Sequence, residues 1–123
     1  GLGDVYKRQA AIRADETDIK NILTACENTE KLLLANKNHA EKDIAFHTAI
    51  ALSSKNIVVP KLVPIINSSI PLIRESAKFT MRDETIEIHR EIADAIAAHD
   101  AVRAHDAMYL HLIYNRKHIK SIN

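Results

Sequence analysis

The chain has 123 residues, 46% of them hydrophobic and 27% charged, with a formal net charge of +1. That length suits one domain with a single core, and so even a charge balance gives no electrostatic basis for this chain to bind nucleic acid. Two glycines and three prolines are too few for the turns of an all-β fold, whereas the many Ala, Ile, Leu, Glu and Lys residues favour helices.

The opening stretch "GLGDVYKRQ" has no hydrophobic periodicity and stops abruptly where a well-patterned segment begins. It looks like the adapter-derived peptides found at the ends of translated sequence assemblies, so residues 1–9 are expected to be a non-native scar that carries no information about the natural fold. No apolar run approaches the ~20 residues of a membrane span, and no secretory apolar region stands at the start. A cytoplasmic protein without a membrane partner is expected.

Five helical segments follow. In the first, Asp15 serves as N-cap, with Glu16 and Asp18 in the opening turn where the helix dipole favours acids. Ile19, Ile22, Leu23 and Cys26 mark its apolar stripe, which continues around Leu33. Cys26 reads as a small core hydrophobe; a lone cysteine excludes an intramolecular disulfide and fits a reducing compartment. After the polar break Asn36 to His39, a second helix runs from about Ala40 to Ser54. Its inward face is read as Ile44, His47, Ile50 and Ala51, with Asp43 one turn before His47 on the same side. The third segment, Ile57 to Phe79, is apolar and interrupted by Pro60, Pro64 and Pro71, which predicts a helix starting near Val59 or Pro60 and bent around Pro71. In the fourth, Asp83 is the expected cap, and His89, Ile92, Ala93 and Ile96 share a face. The fifth opens at the N-cap Asp100, with Ala101, Ala104, Met108 and His111 on one side and Leu112 broadening the stripe. Short polar joins imply antiparallel neighbours. The expected fold is an all-α antiparallel helical bundle.

Three of these helices carry a metal-capable residue on the apolar face: Asp43 with His47, then His89, then His111. Three imidazoles and one carboxylate suit zinc first, with nickel, manganese, iron or cobalt as alternatives, and disfavour hard ions such as calcium. Metal sites in bundles form from side chains on facing helices. Spacing alone leaves a competing reading open, in which the same histidines are hydrogen-bonded core residues. His39, His99, His105 and His118 fall at helix ends or on polar faces and are read as solvated.

The segments "RADETDIKNIL", "EKDIAFHTAIALSSKN" and "EIHREIADAIAAHDAVRAHDAMYLHL" carry a resemblance. Asp43, Phe46–His47, Ser54–Asn56, Glu87–His89 and His111–Leu112 follow in order the pattern of the FCD domain, the C-terminal effector-binding domain of FadR-type GntR transcription regulators. The similarity covers about Ala11 to Ile113. It implies an FCD-like bundle over residues 10–123, in which Asp43, His47, His89 and His111 hold a divalent metal and the metal holds a small carboxylate effector. Arg74 and Asn56 are the expected effector contacts; a solvated Arg74 beside Glu75 is the equal alternative for the first. Full regulators of this kind carry an N-terminal winged helix-turn-helix, and their domains open with a further helix. Both are read as missing here, so the domain is expected to be truncated at its N-terminus, to leave apolar surface exposed, and to meet DNA only through the missing part. Homodimerisation is implied for the full-length protein. A metal-dependent enzyme using the same four ligands is the alternative function, although Glu87, two positions from His89, faces away from where a general base would stand.

Overall fold

The computed structural model describes residues 2–58, 61 and 82–107, with side chains from Tyr6 onward. The helices are α1 (Leu2–Arg13), α2 (Glu16–Leu34), α3 (Ala40–Ser53), α4 (Arg82–Ala97) and α5 (residues 101–107). Among the described residues there is no strand. Most of the proline-rich third segment, with Arg74, lies outside the described residues, as do Met108, His111 and Leu112.

The start of α2 is fixed by a reciprocal cap. The Asp18 backbone N–H donates to Oδ1 of Asp15 at 2.8 Å, and the Asp15 backbone N–H donates to Oδ2 of Asp18 at 3.0 Å. Two orphan donors of the first turn are thereby satisfied. With so few glycines, the helix ends are closed by other residues in left-handed backbone. Asn36 (φ 56°) follows α2, Lys55 (φ 58°) follows α3 and His99 (φ 55°) follows α4. At Asn36 and His99 the paired bonds of a Schellman motif are present: Lys37 N–H to Leu32 O at 2.9 Å and Asn36 N–H to Leu33 O at 3.1 Å, then Asp100 N–H to Ala95 O at 2.8 Å and His99 N–H to Ile96 O at 3.0 Å. Immediately after His99, Oδ1 of Asp100 accepts from the Arg103 N–H at 3.0 Å and caps α5, as the sequence predicts.

In the bundle, α1 and α2 each pack on both α3 and α4, while α3 and α4 stand diagonally across the core without their backbones packing directly. The centre is filled by Phe46 and Ile50 of α3, Ile22 and Cys26 of α2, and Ile92, Ala93, Ala95 and Ile96 of α4, closed by Ala104 and Ala107 of α5. Ala10, Ala11 and Ala14 bring α1 and the turn after it close to this centre. Buried hydroxyls are met locally: Thr29 donates to Ala25 O at 2.9 Å and Ser53 to Ala49 O at 2.6 Å. Burial pushes the Cys26 thiol up to about 11, and nearby Glu30 adds to the shift, so this cysteine packs as a protonated side chain.

The structure differs from the sequence expectations in three places. Residues 2–9, which lack a periodic pattern, form most of α1, and Tyr6 is buried. The Ala-rich stretch that follows lies at the core and continues the same helix, so tertiary packing supplies what periodicity did not. Leu23, expected on the α2 stripe, is 41% exposed, because it lies one position past the buried Ile22 and turns toward the rim. Asp83 sits inside the first turn of α4 instead of capping it, since that helix already begins at Arg82. Phe46 has no exposed surface, and Phe46→Ala is expected to lower unfolding free energy by about 3–5 kcal/mol, a loss readable as a shifted urea midpoint with an unchanged slope.

Candidate metal and ligand site

Asp43 and His47 lie one turn apart on α3, and His89 lies on α4 across the diagonal. The packing of both helices against α1 and α2 brings them together at the core. Oδ1 of Asp43 is 2.9 Å from Nε2 of His89 and 3.3 Å from Nε2 of His47. One donor atom from each of the three residues falls within 4.8 Å of the others. His89 is buried and Asp43 half-buried, while the His47 side chain is 46% exposed. His47 was expected to face inward with Ile44 and Ile50. It follows Phe46 and is therefore rotated about 100° around the helix axis from that fully buried ring, toward the open flank of the site.

Phe46 organises the rings. Its centroid is 4.7 Å from that of His89 and 5.4 Å from that of His47, the latter edge-on, and the two imidazoles stand 5.7 Å apart, nearly perpendicular. An apolar ring packed against both imidazoles limits their rotation and covers one side of the cluster. The sequence pattern includes Phe46 beside His47 in "DIAFH" but assigns it no packing role.

The short contacts at Asp43 are not aligned as hydrogen bonds. Among the described residues, Oδ1 of Asp43 and Nδ1 of His89 are buried without a hydrogen-bond partner. A hydrogen bond needs its N–H aimed at the acceptor; here the donor atoms are close to one another without pointing at one another. Two ligand atoms bound to one ion at about 2.1 Å, with angles of about 90–110°, lie roughly 3.0–3.4 Å apart. The two separations at Oδ1, 2.9 and 3.3 Å, lie near that spacing, while the three donor atoms together spread to 4.8 Å, so an ion would draw the two imidazoles closer together. Burial pushes the Asp43 carboxyl up, but the imidazoles of His47 and His89 overcome this and hold it well below the usual carboxylate range. The carboxylate is therefore ionised and available as a ligand at neutral pH.

Of the sequence-predicted site residues, Asp43, His47 and His89 converge; His111 and Arg74 lie outside the described residues. Asn56 serves the turn after α3: its Nδ2 donates to Oε1 of Gln9 at 3.2 Å, and its Oδ1 accepts from the Val58 N–H at 3.0 Å. It thus fastens this turn to α1, beside the Arg13 Nη1 bond to Ser54 O at 2.9 Å. His99, read as solvated, joins the α4–α5 turn to α1 through an Nδ1 contact of 2.9 Å with Ala11 O.

The described residues thus form an all-helical bundle that gathers one carboxylate and two imidazoles from diagonally opposed helices. Residues 7–113 match the FCD domain, and the chain belongs to that family. It is 34% identical over 82 residues to the uncharacterized HTH-type transcriptional regulator YcbG of Bacillus subtilis (strain 168), an alignment covering 67% of this chain and 35% of that protein. Among solved structures it is similar to a GntR protein of Streptococcus agalactiae, with a TM-score of 0.75 and 32% identity over 94% of this chain and 53% of the other. The chain thus spans about a third of the curated relative and about half of the solved one. The family and these relatives are transcription regulators of the GntR type, not enzymes. No helix among the described residues is long and apolar enough to cross a membrane.

The depressed Asp43 carboxyl has a consequence for stability. Its folded value lies below the unfolded one, about 3.9, so folding favours the ionised form. The resulting stabilisation is present above about pH 4 and is lost as pH falls through the depressed folded value. In metal-free protein, Asp43→Asn should therefore differ most from wild type above about pH 4, with the gap closing in more acid solution. Thermal melts of both proteins across that range measure it.

Proposed function

We propose that this domain senses a small carboxylate through a divalent metal held by Asp43, His47 and His89, with His111 as the fourth ligand, and thereby controls DNA binding in a longer regulator. The observation that supports this reading most is the unaligned, ion-sized spacing around Oδ1 of Asp43, a buried carboxylate oxygen without a hydrogen bond among the described residues. The donor set of imidazole nitrogens and one carboxylate suits zinc, with nickel, manganese, iron or cobalt as alternatives. When bound, such an ion supplies an electrophilic anchor for an anionic oxygen. Asp43 contributes the one negative charge, the imidazoles fix the direction of approach, and Phe46 covers one side of the cluster. A divalent ion with one carboxylate ligand leaves the site positive, so a carboxylate is favoured over a neutral sugar or an amine, which would leave that charge uncompensated in a poorly solvated cavity. Arg74 is the proposed partner of a second carboxylate on the effector, through its bidentate guanidinium, and Asn56 is kept as a further proposed contact.

The regulatory step requires the effector to favour one of two arrangements of the bundle. In the proposed full-length regulator, the α3–α4 diagonal closes around the bound carboxylate and repositions an N-terminal winged helix-turn-helix in each subunit of a homodimer.

Two measurements test the reading. Purified protein should bind about one zinc per chain, and His89→Ala should lose tight zinc binding while retaining its helical circular dichroism, because the apolar stripes supply the core. Zinc-loaded wild type should melt at higher temperature with small mono- or dicarboxylates, and that gain should disappear after chelation. Stabilisation by uncharged compounds but not by carboxylates would overturn the carboxylate assignment; unchanged zinc stoichiometry in His89→Ala would overturn the ligand assignment.

A further inference from the structure

One side of α2 and one side of α4 face each other across a cavity of about 390 Å³, within the size range of small-molecule sites. Leu23, Cys26, Glu27 and Glu30 line it from α2, at the i, i+3, i+4 and i+7 spacing of a single helix face. Arg90, Ala93 and Asp94 line it from α4 at i, i+3 and i+4, and no member of the Asp43 cluster borders it. Its floor is made by the buried Cys26 and Ala93, and one wall by Leu23, a large aliphatic residue that the core leaves 41% exposed. Sγ of Cys26, a residue only 6% exposed, has no hydrogen bond among the described residues. At one end Glu30 holds Arg90 by both arms, so these two charges answer each other. The carboxylates of Glu27 and Asp94, one on each helix, form no ion pair or hydrogen bond among the described residues.

All four charges act on the thiol at the floor. Burial raises it first, Glu30, Asp94 and Glu27 raise it further, and Arg90 opposes them. The carboxylates therefore bear on the cavity itself and not only on its rim. Three acids against one arginine leave the groove net negative. A metal ion is not the complement, because among the described residues only Asp43, His47 and His89 bring three donor atoms within reach of one ion. The thiol and carboxylates of the groove are spread wider than that, which calls for a larger cation with an apolar body. We propose that the α2–α4 groove is a second binding site, separate from the Asp43 cluster, and that it takes a primary alkylamine. The ammonium group sits between Glu27 and Asp94, whose oxygens accept from its three donors, and the alkyl chain lies over Cys26 and Ala93 against Leu23. From Leu23 to Glu30 the face runs about 10 Å at 1.5 Å per residue, room for a chain of about five carbons beside the ammonium. The amine thereby bridges α2 to α4, the helix that also carries His89.

The test uses the whole chain without added metal and three probes, n-pentylamine, 1-pentanol and valerate, which share a chain and differ in head group. By calorimetry the amine is expected to bind about tenfold or more tightly than the alcohol or the acid, the gain of hydrogen bonds to charged acceptors. Glu27→Gln combined with Asp94→Asn is expected to remove that preference and to keep the helical circular dichroism, because both positions are exposed. Saturating amine should also slow alkylation of Cys26, the one cysteine of the chain, by iodoacetamide, since the bound chain covers the thiol. No measurable amine binding, equal affinity for amine and alcohol, or an amine preference that survives in the double variant would overturn the assignment. An unchanged alkylation rate at saturating amine would put the amine on another acidic surface and overturn it as well.

Discussion

A carboxylate lowered into the middle of a helical bundle must be compensated, and Asp43 is compensated by two imidazoles, one from its own helix and one from the helix diagonally opposite. The rest of the arrangement follows from that requirement. The α3 and α4 backbones do not pack on each other, so the gap between them has to be spanned by long side chains, and α1 and α2 have to hold both helices at the correct separation. Phe46 fills the space the polar groups leave and sets the planes of the two rings. Replacing the cluster by apolar residues would relieve the desolvation of Asp43.

The scaffold around the cluster is tied together mainly at helix ends. Nζ of Lys55 lies 2.6 Å from Oδ2 of Asp18, which joins the end of α3 to the capping box of α2. Arg90 grips Glu30 with both arms and joins α4 to α2, and Arg103 does the same with Glu91 at 2.7 and 3.1 Å between α5 and α4. Exposed pairs of this kind contribute little stability individually. Their geometry instead fixes the rotation of each helix about its axis, and a rotation error of one residue would move His89 away from Asp43 by about 100°. The proposed sensing role depends on that register, since a ligand can shift a population only through contacts that differ between two defined arrangements.

The left-handed residues at the helix ends belong to the same design. Asn36, Lys55 and His99 occupy positions where glycine would be unstrained, and each non-glycine side chain there makes the backbone less free to adopt other shapes before folding. His99 and Lys55 also bond across to a neighbouring element, His99 to Ala11 O of α1 and Lys55 to Asp18 of α2. The end of α1 is thus held by His99 on one side and by the Arg13–Ser54 bond on the other. Joints of this sort fix α1 to both the α3 end and the α4–α5 turn.

Much of the fold is legible in the sequence, because the signals involved are local. The capping box at Asp15, the N-cap at Asp100, and the stripes Ile22–Cys26–Leu33 and His89–Ile92–Ala93–Ile96 depend on residues within one or two turns of each other. Helical periodicity also put Asp43 beside His47, and the ordered pattern of motifs supplied the family. Tertiary structure decided what one helix cannot encode alone. It brought His89 to within 2.9 Å of Asp43 across the diagonal and left His47 half in solvent, because the direction a face takes depends on which neighbours cover it. It made α1 out of a stretch with no apolar period and buried Tyr6 there, since a segment without its own apolar stripe gains its helix from the surface it packs against. It also bound Asn56 to Gln9, 47 positions away in the chain, a pairing that sequence spacing has no means to express.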